Sequence, residues 1–104
     1  MNGYAPSIMQ DTVFEPFCYL CGANGAIDKL DRHEVFGGPY REKSKRMGLW
    51  VLLCHNDCHI FGPLAAHNNA STALRLKQDA QRRAMEAYGW SIEDFIREFG
   101  KNYL

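Results

Sequence analysis

The hydrophobic positions along this chain predict two strands separated by a short helix. Residues 49–53 are all apolar and lie between Gly48 and Cys54, a pattern that is typical of a short buried strand. Residues 27–36 alternate less regularly and end at a Gly-Gly-Pro sequence, and we expect the first strand there. Residues 40–47 follow a proline that suits the start of a helix, and they end before a glycine that suits its close.

Two further helices are predicted in the second half of the chain. Residues 71–88 place apolar side chains at helical spacing and end before Gly89. In the last helix, Ser91 is a suitable N-cap, and Asp94 three residues later matches a capping box. Its apolar stripe, at positions i, i+3, i+4 and i+7, consists of Ile92, Phe95, Ile96 and Phe99. The elements together predict an α+β fold in which the last helix closes the core.

Length and composition indicate one small domain preceded by an arm. The chain has 104 residues, enough for a single core of modest size. Residues 1–16 show no sustained period, and we expect them to form an N-terminal arm that lies against the domain of residues 17–104. No apolar run approaches the roughly 20 residues that cross a bilayer, and the first residues do not resemble a secretory signal. We therefore expect a cytoplasmic protein without membrane contact, in which thiols stay reduced.

Two close pairs of cysteines predict a structural zinc site. Cys18 and Cys21 form a Cys-x2-Cys pair, and Cys54 and Cys58 form a Cys-x3-Cys pair further along the chain. Two such pairs match the tetrahedral thiolate site that zinc prefers, with a disulfide or unconnected thiols as the alternatives. Because the second pair is one residue longer than usual, His55 is an alternative to Cys58 as the fourth ligand. Zinc would contribute about 10 kcal/mol or more to folding.

Three further histidines flank this cysteine frame. They are His33, His59 and His67, and Glu34 directly follows the first of them. Imidazole and carboxylate together suit a divalent cation that keeps open positions, as hydrolysis requires. A second imidazole or carboxylate near such a cation can act as a general base toward water. A single histidine is usually structural, so the hypothesis of a catalytic centre depends on all three lying around one zinc frame.

The charge distribution adds a local basic segment to this picture. The net charge is zero, so the overall composition indicates no nucleic-acid partner. Residues 29–46 nevertheless hold six basic and three acidic residues, whereas residues 1–28 hold three acidic residues and no lysine or arginine. Such a segment beside a metal site is compatible with phosphate contacts, and an ordinary solvated surface is the alternative. The cations on the predicted short helix are Arg41, Lys43, Lys45 and Arg46.

Several short segments of the chain are similar to a known family. They are residues 31–38 (Asp-Arg-His-Glu-Val-Phe-Gly-Gly), Arg41, Ser44, Gly48-Leu49 and the Leu53-Cys54…Cys58-His59 sequence. Together they resemble the HNH nuclease superfamily. More narrowly, they are similar to small HNH-like zinc proteins of bacteriophages and prophages, some of them related to phage recombination-enhancement nucleases. Residues 95–104 resemble the tails of the same proteins, so the resemblance covers residues 18–104.

The resemblance implies a fold, an activity and roles for particular residues. The fold would be a small zinc-stabilised ββα-metal domain (an HNH or His-Me finger) with two C-terminal helices. By position, His33 and Glu34 fall on the ligand-and-base pair of the family, His59 on the closing metal-binding histidine, and His67 on a further downstream histidine. The implied activity is hydrolysis of DNA phosphodiester bonds with a second divalent cation such as Mg²⁺, Mn²⁺ or Ni²⁺, held by His33 and His59.

The implied partners follow from that activity. DNA would be bound through its phosphates, largely without regard to sequence, by Arg41, Lys43, Lys45 and Arg46. A host or phage recombination protein is a further implied partner, and the protein would act in the cytoplasm of an infected or lysogenic bacterium.

Two departures from the family pattern keep a second hypothesis open. Glu34 follows His33 where many members have a histidine, so Glu34 or His33 itself, with Asp31 nearby, would be the base. The asparagine that the family often has shortly before the first cysteine of the second pair is absent from residues 49–51. The asparagines that remain as candidates for its role are Asn56, Asn68 and Asn69. The second hypothesis is a zinc-stabilised module that kept the fold, lost the chemistry and binds DNA or a host protein.

A third hypothesis is a purely structural phage component. It is suggested by the zero net charge and by aromatic side chains that we expect to be exposed, namely Tyr40, Trp50 and Trp90. Such a role does not require three histidines around a zinc frame.

Overall fold

The protein has an α+β architecture built on one two-stranded sheet. The structure, a computed structural model, describes residues 3–104, so the first two residues of the predicted arm lie outside it. In chain order the elements are β1 (Leu30–Glu34), α1 (Arg41–Arg46), β2 (Trp50–Cys54), α2 (Ala70–Tyr88) and α3 (Ile92–Phe99). A 3₁₀ turn, Gly38–Tyr40, precedes α1, and one turn of π-helix, His55–Ile60, follows β2. The α+β class and the predicted order of strands and helices are confirmed.

The pairing register of the two strands determines which side chains face the core. The strands are antiparallel, with Asp31 opposite Leu53 and His33 opposite Val51. Successive side chains of a strand point to opposite faces, so these four residues share one face of the sheet. Leu53 and Val51 are fully buried on that face. Asp31 and His33 therefore point toward the side on which the core lies.

The last two helices close the core, but only half of the predicted stripe on α3 is buried. Phe95 and Phe99 are buried, whereas Ile92 and Ile96 are each 39% exposed. Burial of apolar surface is the main force that holds such helices on a sheet. The ring of Phe36 lies 4.7 Å from that of Phe99 and 5.5 Å from that of Phe95, centroid to centroid. The other fully buried apolar residues include Leu49, Leu76, Ala80 and Ala84.

The prediction that Tyr40, Trp50 and Trp90 are exposed is wrong. The position of Trp50 on β2 leaves it only 5% exposed. Tyr40 and Trp90 are half-buried against the core.

Local capping interactions fix the ends of the long helices. Ser91 Oγ accepts a hydrogen bond from Asp94 N (3.1 Å), and Asp94 Oδ2 accepts one from Ser91 N (3.0 Å), which confirms the predicted capping box. Gly89 and Gly100 end α2 and α3 in the left-handed conformation. Asn69 caps α2 by accepting from Thr72 N at 3.0 Å. Within residues 3–104, no helix is both long and apolar enough to cross a membrane.

The segment before the first cysteine runs along the outer side of β2. Ser7 Oγ donates to Trp50 O (2.7 Å), and Gln10 Oε1 accepts from Leu52 N (2.7 Å). These bonds satisfy backbone groups on the strand edge that β1 does not pair. An unsatisfied edge would offer a template for pairing with another chain, so the segment protects the sheet.

The closest approach of this segment is at Gly48, between α1 and β2. Gly48 has φ +71°, and a Cβ there would lie 2.3 Å from the carbonyl oxygen of Pro6. The same glycine accepts a hydrogen bond from Ile8 N at 2.9 Å. A side chain at this position would therefore meet both an unfavourable backbone conformation and a backbone atom that cannot move aside.

We expect Gly48→Ala to lower the free energy of unfolding by more than about 2 kcal/mol, from left-handed strain plus the clash with Pro6. Gly89→Ala is the matched control, because Gly89 has φ +67° and no atom within 4 Å of the added Cβ. The control should lose about 1 kcal/mol, from the strain alone. Urea denaturation monitored by circular dichroism measures both values. Equal losses in the two variants would show that the contact with Pro6 does not constrain this turn.

Candidate metal centres

Four cysteines from three parts of the chain meet at one point. Cys18 and Cys21 lie in the turn before β1, Cys54 ends β2, and Cys58 lies in the π-helical turn. Their Sγ atoms all lie within 4.8 Å of one another, and Cys21 Sγ is 3.5 Å from Cys54 Sγ. Sulfurs bound to one tetrahedral zinc at about 2.3 Å would be separated by about 3.8 Å. The four free thiols can therefore bind a structural metal such as zinc.

The π-helical turn explains why Cys58 belongs to this cluster and His55 does not. Phe61 N donates to Asn56 O across five residues at 2.9 Å, which widens the turn relative to an α-helix. The wide turn accommodates the extra residue between Cys54 and Cys58. His55 faces away from the thiols and places its Nδ1 2.5 Å from Asp31 Oδ2. The fourth sulfur is thus supplied by Cys58.

A carboxylate that the sequence analysis did not single out anchors the start of this turn. Asp28 accepts hydrogen bonds from Asn56 N and Asp57 N, each at 3.0 Å. These bonds, with that from Asn56 first, lower the pKa of Asp28 below its usual range. They also satisfy donors at the start of the turn that have no partner within it. This contact could not be predicted from the sequence, because Asp28 is far along the chain from the second cysteine pair.

The environment of the thiols indicates how the cluster responds to a cation. Burial, together with the neighbouring thiols of Cys21 and Cys18, raises the pKa of Cys54 to about 12 and also raises that of Cys58. Burial also acts against ionisation of Cys18, but backbone N–H groups, that of Cys21 foremost, lower its pKa to about 7. Four neighbouring thiols cannot all ionise to thiolates unless a cation balances their charge. Binding of a metal must therefore release protons.

The four sulfurs differ in their access to solvent. Cys18, Cys54 and Cys58 are buried, whereas Cys21 is exposed. The cluster is thus shielded from solvent at three of its cysteines and is open to solvent at Cys21 alone.

The three predicted histidines form a second cluster beside the thiols. His33 comes from the core-facing side of β1, His59 from the π-helical turn and His67 from the loop before α2. One ring nitrogen of each lies within 4.8 Å of the others, and His59 Nε2 is 3.2 Å from His67 Nε2. Two nitrogens bound to one cation at about 2.1 Å would be about 3.0–3.4 Å apart. The donor set and the spacing therefore fit a divalent cation.

Burial and repulsion from neighbouring rings lower the pKa of two of these imidazoles, His33 and His67. Burial, with added repulsion from His59 and His67, lowers the pKa of His33 to about 3. Burial likewise lowers the pKa of His67, with a smaller contribution from His59. Neutral imidazole is the form that binds a metal, so at neutral pH the lone pairs of His33 and His67 are available.

Glu34 lines the same cleft as the three histidines but is engaged by other partners. As the neighbour of His33 on a strand, it leaves β1 on the opposite face. Its Oε2 accepts a hydrogen bond from the Tyr4 hydroxyl at 2.8 Å, and its Oε1 lies 3.7 Å from Arg41 Nε. The carboxylate of the predicted ligand-and-base pair is therefore held by Tyr4 and Arg41 at the edge of the cleft.

An open cleft of about 240 Å³ lies over the histidine cluster. Arg41 lines it, as does Arg32, which the sequence analysis did not assign to the site. Lys43 is engaged elsewhere, because its Nζ donates to the carbonyl oxygen of Glu98 at 2.8 Å. The predicted basic cluster is thus divided: Lys45 pairs with Glu42 at 3.1 Å, and Arg46 is exposed. The other lining residues of the cleft are His33, Glu34, Gly37, His59 and His67.

The side chains of the three candidate asparagines form hydrogen bonds within the loops. Asn56 Nδ2 donates to Asp28 at 3.1 Å, and Asn68 Nδ2 donates to Gly62 O at 3.0 Å. Asn69 caps α2 through Thr72. None of the three lines the cleft over the histidines.

No family model matches this chain, and no curated protein or solved structure matches it either. The function of the protein is therefore inferred from the chemistry of its two clusters and the cleft beside them.

We expect wild-type protein to retain about one zinc per chain and to unfold when a strong chelator removes it. Cys58→Ala should lose the zinc, because the three remaining sulfurs do not complete a tetrahedral site. It should then also lose most of its helical circular dichroism, because the domain unfolds without zinc. His55→Ala is the control and should keep its zinc, since His55 contacts Asp31 instead of the thiols. Elemental analysis of purified proteins measures the content. A Cys58→Ala protein that keeps a full complement of zinc would contradict the four-thiol site.

Proposed function

We propose that this protein is a metal-dependent endonuclease of the HNH type that hydrolyses DNA phosphodiester bonds. The observation that carries the proposal is the cluster of His33, His59 and His67 beneath an open cleft lined by Arg41. Imidazoles facing an open cleft suit a cation with open positions, whereas a structural site would be closed. The proposal includes a phage or prophage origin, action in the bacterial cytoplasm, and a role in recombination or DNA processing.

The order of elements around the clusters supports the ββα-metal finger fold. β1 supplies His33, β2 follows in antiparallel pairing, and the π-helical turn after β2 supplies His59. The four thiols fix that turn to the strands at Cys54 and Cys58. A cation would therefore have one ligand, His33, on β1 and another, His59, on the turn that directly follows β2.

The positions of the donor atoms suggest which residues would bind the cation and which would act as the general base. His33 and His59 would hold a divalent cation such as Mg²⁺, Mn²⁺ or Ni²⁺, which would polarise the phosphate and stabilise the leaving oxygen. His67 is the exposed member of the cluster, with a lowered pKa, so its neutral ring is available at the mouth of the cleft to take a proton from water. Glu34 is engaged by Tyr4 and Arg41, which favours an imidazole over this carboxylate as the base.

The rim of the cleft suggests how DNA would be held. Arg41 and Arg32 both line it, and guanidinium groups bind phosphate oxygens well. Two arginines beside three histidines provide phosphate contacts without a code for reading base edges. Binding should therefore be largely independent of sequence and sensitive to salt.

Zinc-loaded protein should convert supercoiled plasmid to the open-circular form in the presence of Mg²⁺, Mn²⁺ or Ni²⁺. His33→Ala should lower the rate at least about 100-fold, because the cation would lose a ligand on the strand. Arg82→Ala, an exposed position on α2 that pairs with Asp79, should cleave at the wild-type rate. Zinc content must be equal in all three proteins. Absence of nicking with every cation, or a His33→Ala rate equal to that of wild type, would refute the endonuclease.

Arg41→Ala should weaken DNA binding several-fold and reduce the slope of log affinity against log salt by about one phosphate contact. Arg97→Ala, an exposed cation on α3 that pairs with Asp94, should leave the slope unchanged. Fluorescence anisotropy with a labelled duplex at several salt concentrations measures both. An unchanged slope for Arg41→Ala would show that phosphates do not bind at this rim.

The alternative function is a zinc-stabilised module that binds DNA or a host protein without cleaving. The observation that favours it is that the carboxylate of Glu34 is engaged by Tyr4 and Arg41. The two functions differ in metal content. An endonuclease should take up Mn²⁺ beside its zinc and lose that capacity in His59→Ala, whereas a module should hold zinc alone in both proteins.

A further inference from the structure

Asp31 connects the two histidines that the π-helical turn places next to the sheet. Its Oδ2 lies 2.9 Å from His59 Nδ1 and 2.5 Å from His55 Nδ1. One oxygen of the Asp31 carboxylate thus lies within hydrogen-bond distance of a ring nitrogen of each histidine.

This contact determines which nitrogen of His59 is free. A carboxylate accepts hydrogen bonds, so Nδ1 of His59 must bear the proton that it donates to Asp31. The other nitrogen, Nε2, is then unprotonated and faces His67 Nε2 at 3.2 Å. Asp31 itself sits on the core-facing side of β1, two residues before His33, so the strand that supplies one histidine also orients another.

The spacing around Asp31 favours hydrogen bonds over a cation between these groups. Ligands at about 2.1 Å from a cation and at right angles would be about 3.0 Å apart. The separation of Asp31 Oδ2 from His55 Nδ1 is 2.5 Å, which is shorter than the separation of two ligands on one cation, so these two atoms share a hydrogen bond. A metal-binding histidine commonly donates its second N–H to such a carboxylate, which fixes the ring and raises its basicity.

We propose that Asp31 is a positioning residue that holds His59 in its Nδ1–H form and aims Nε2 at His33 and His67, thereby setting the cation affinity of this cluster. The inference rests on the part of the proposed function in which His33 and His59 hold a divalent cation beside His67, and it does not require DNA cleavage. His55 shares the carboxylate but has no contact with the cluster, so its role is limited to the turn.

Calorimetric titration of zinc-loaded protein with Ni²⁺ tests the proposal without DNA. Asp31→Ala should weaken binding about 10- to 100-fold, the range found when such partners of metal-binding histidines are removed. Asp31→Asn should bind with intermediate affinity, because its amide oxygen still accepts from His59 but carries no charge. His55→Ala, which leaves the bond from Asp31 to His59 in place, should bind Ni²⁺ within about threefold of wild type. Zinc content before and after titration confirms that Ni²⁺ has not displaced zinc from the thiols.

A second measurement separates positioning from a merely structural role of Asp31. Long-range ¹⁵N–¹H correlation spectra identify the protonated nitrogen of each histidine ring. His59 should be Nδ1-protonated in wild type, in Asp31→Asn and in His55→Ala, and should lose that preference in Asp31→Ala. If Asp31→Ala fails to fold, Asp31→Asn still tests the proposal, through weaker Ni²⁺ binding at an unchanged melting temperature.

Three outcomes would overturn the inference. They are unchanged Ni²⁺ affinity in both Asp31 variants, equal weakening by Asp31→Ala and His55→Ala, and an Nε2-protonated His59 in wild type. Failure of the endonuclease appears differently, as Ni²⁺ binding that depends on Asp31 in a protein that leaves plasmid uncut.

Discussion

The convergence of four thiols on one centre is the constraint on which the rest of the structure depends. Cys18 and Cys21 come from the turn before the sheet, Cys54 from the end of β2, and Cys58 from the turn that follows. A metal held there would join the start of the domain to the end of the sheet. In a chain with so small an apolar core, such a link contributes more to folding than any single packing contact.

The histidine cluster is positioned by its covalent link to the thiol cluster. Cys58 and His59 are adjacent, so the residue that closes the thiol site also places the imidazole of its neighbour. The thiol lies on the buried side of the turn and the imidazole contacts Asp31 and His67 on the other side. A rigid turn of this kind supplies a ligand with little freedom to lose on binding a cation, which favours affinity.

Much of the framework could be predicted from the sequence because it depends on local signals. A few neighbouring residues suffice to predict the capping box of Ser91 and Asp94, the apolar strand after Gly48 and the pairing of the cysteines. The distinction between His55 and Cys58 could not be made, because it depends on the width of one turn. Neither the engagement of Glu34 by Tyr4 and Arg41 nor the anchoring by Asp28 could be foreseen, since both depend on the path of distant segments. The division of the basic residues also depends on tertiary partners that sequence spacing does not reveal.

The exposure of Cys21 sets the direction in which the thiol cluster is vulnerable. Its three companions are shielded by the core, so an oxidant or a competing ligand in solution meets this sulfur first. Loss of a metal from this site would begin at Cys21, while Cys18, Cys54 and Cys58 are still shielded from solvent. The resistance of the site to oxidation therefore depends on its most exposed ligand and not on the average burial of the four sulfurs.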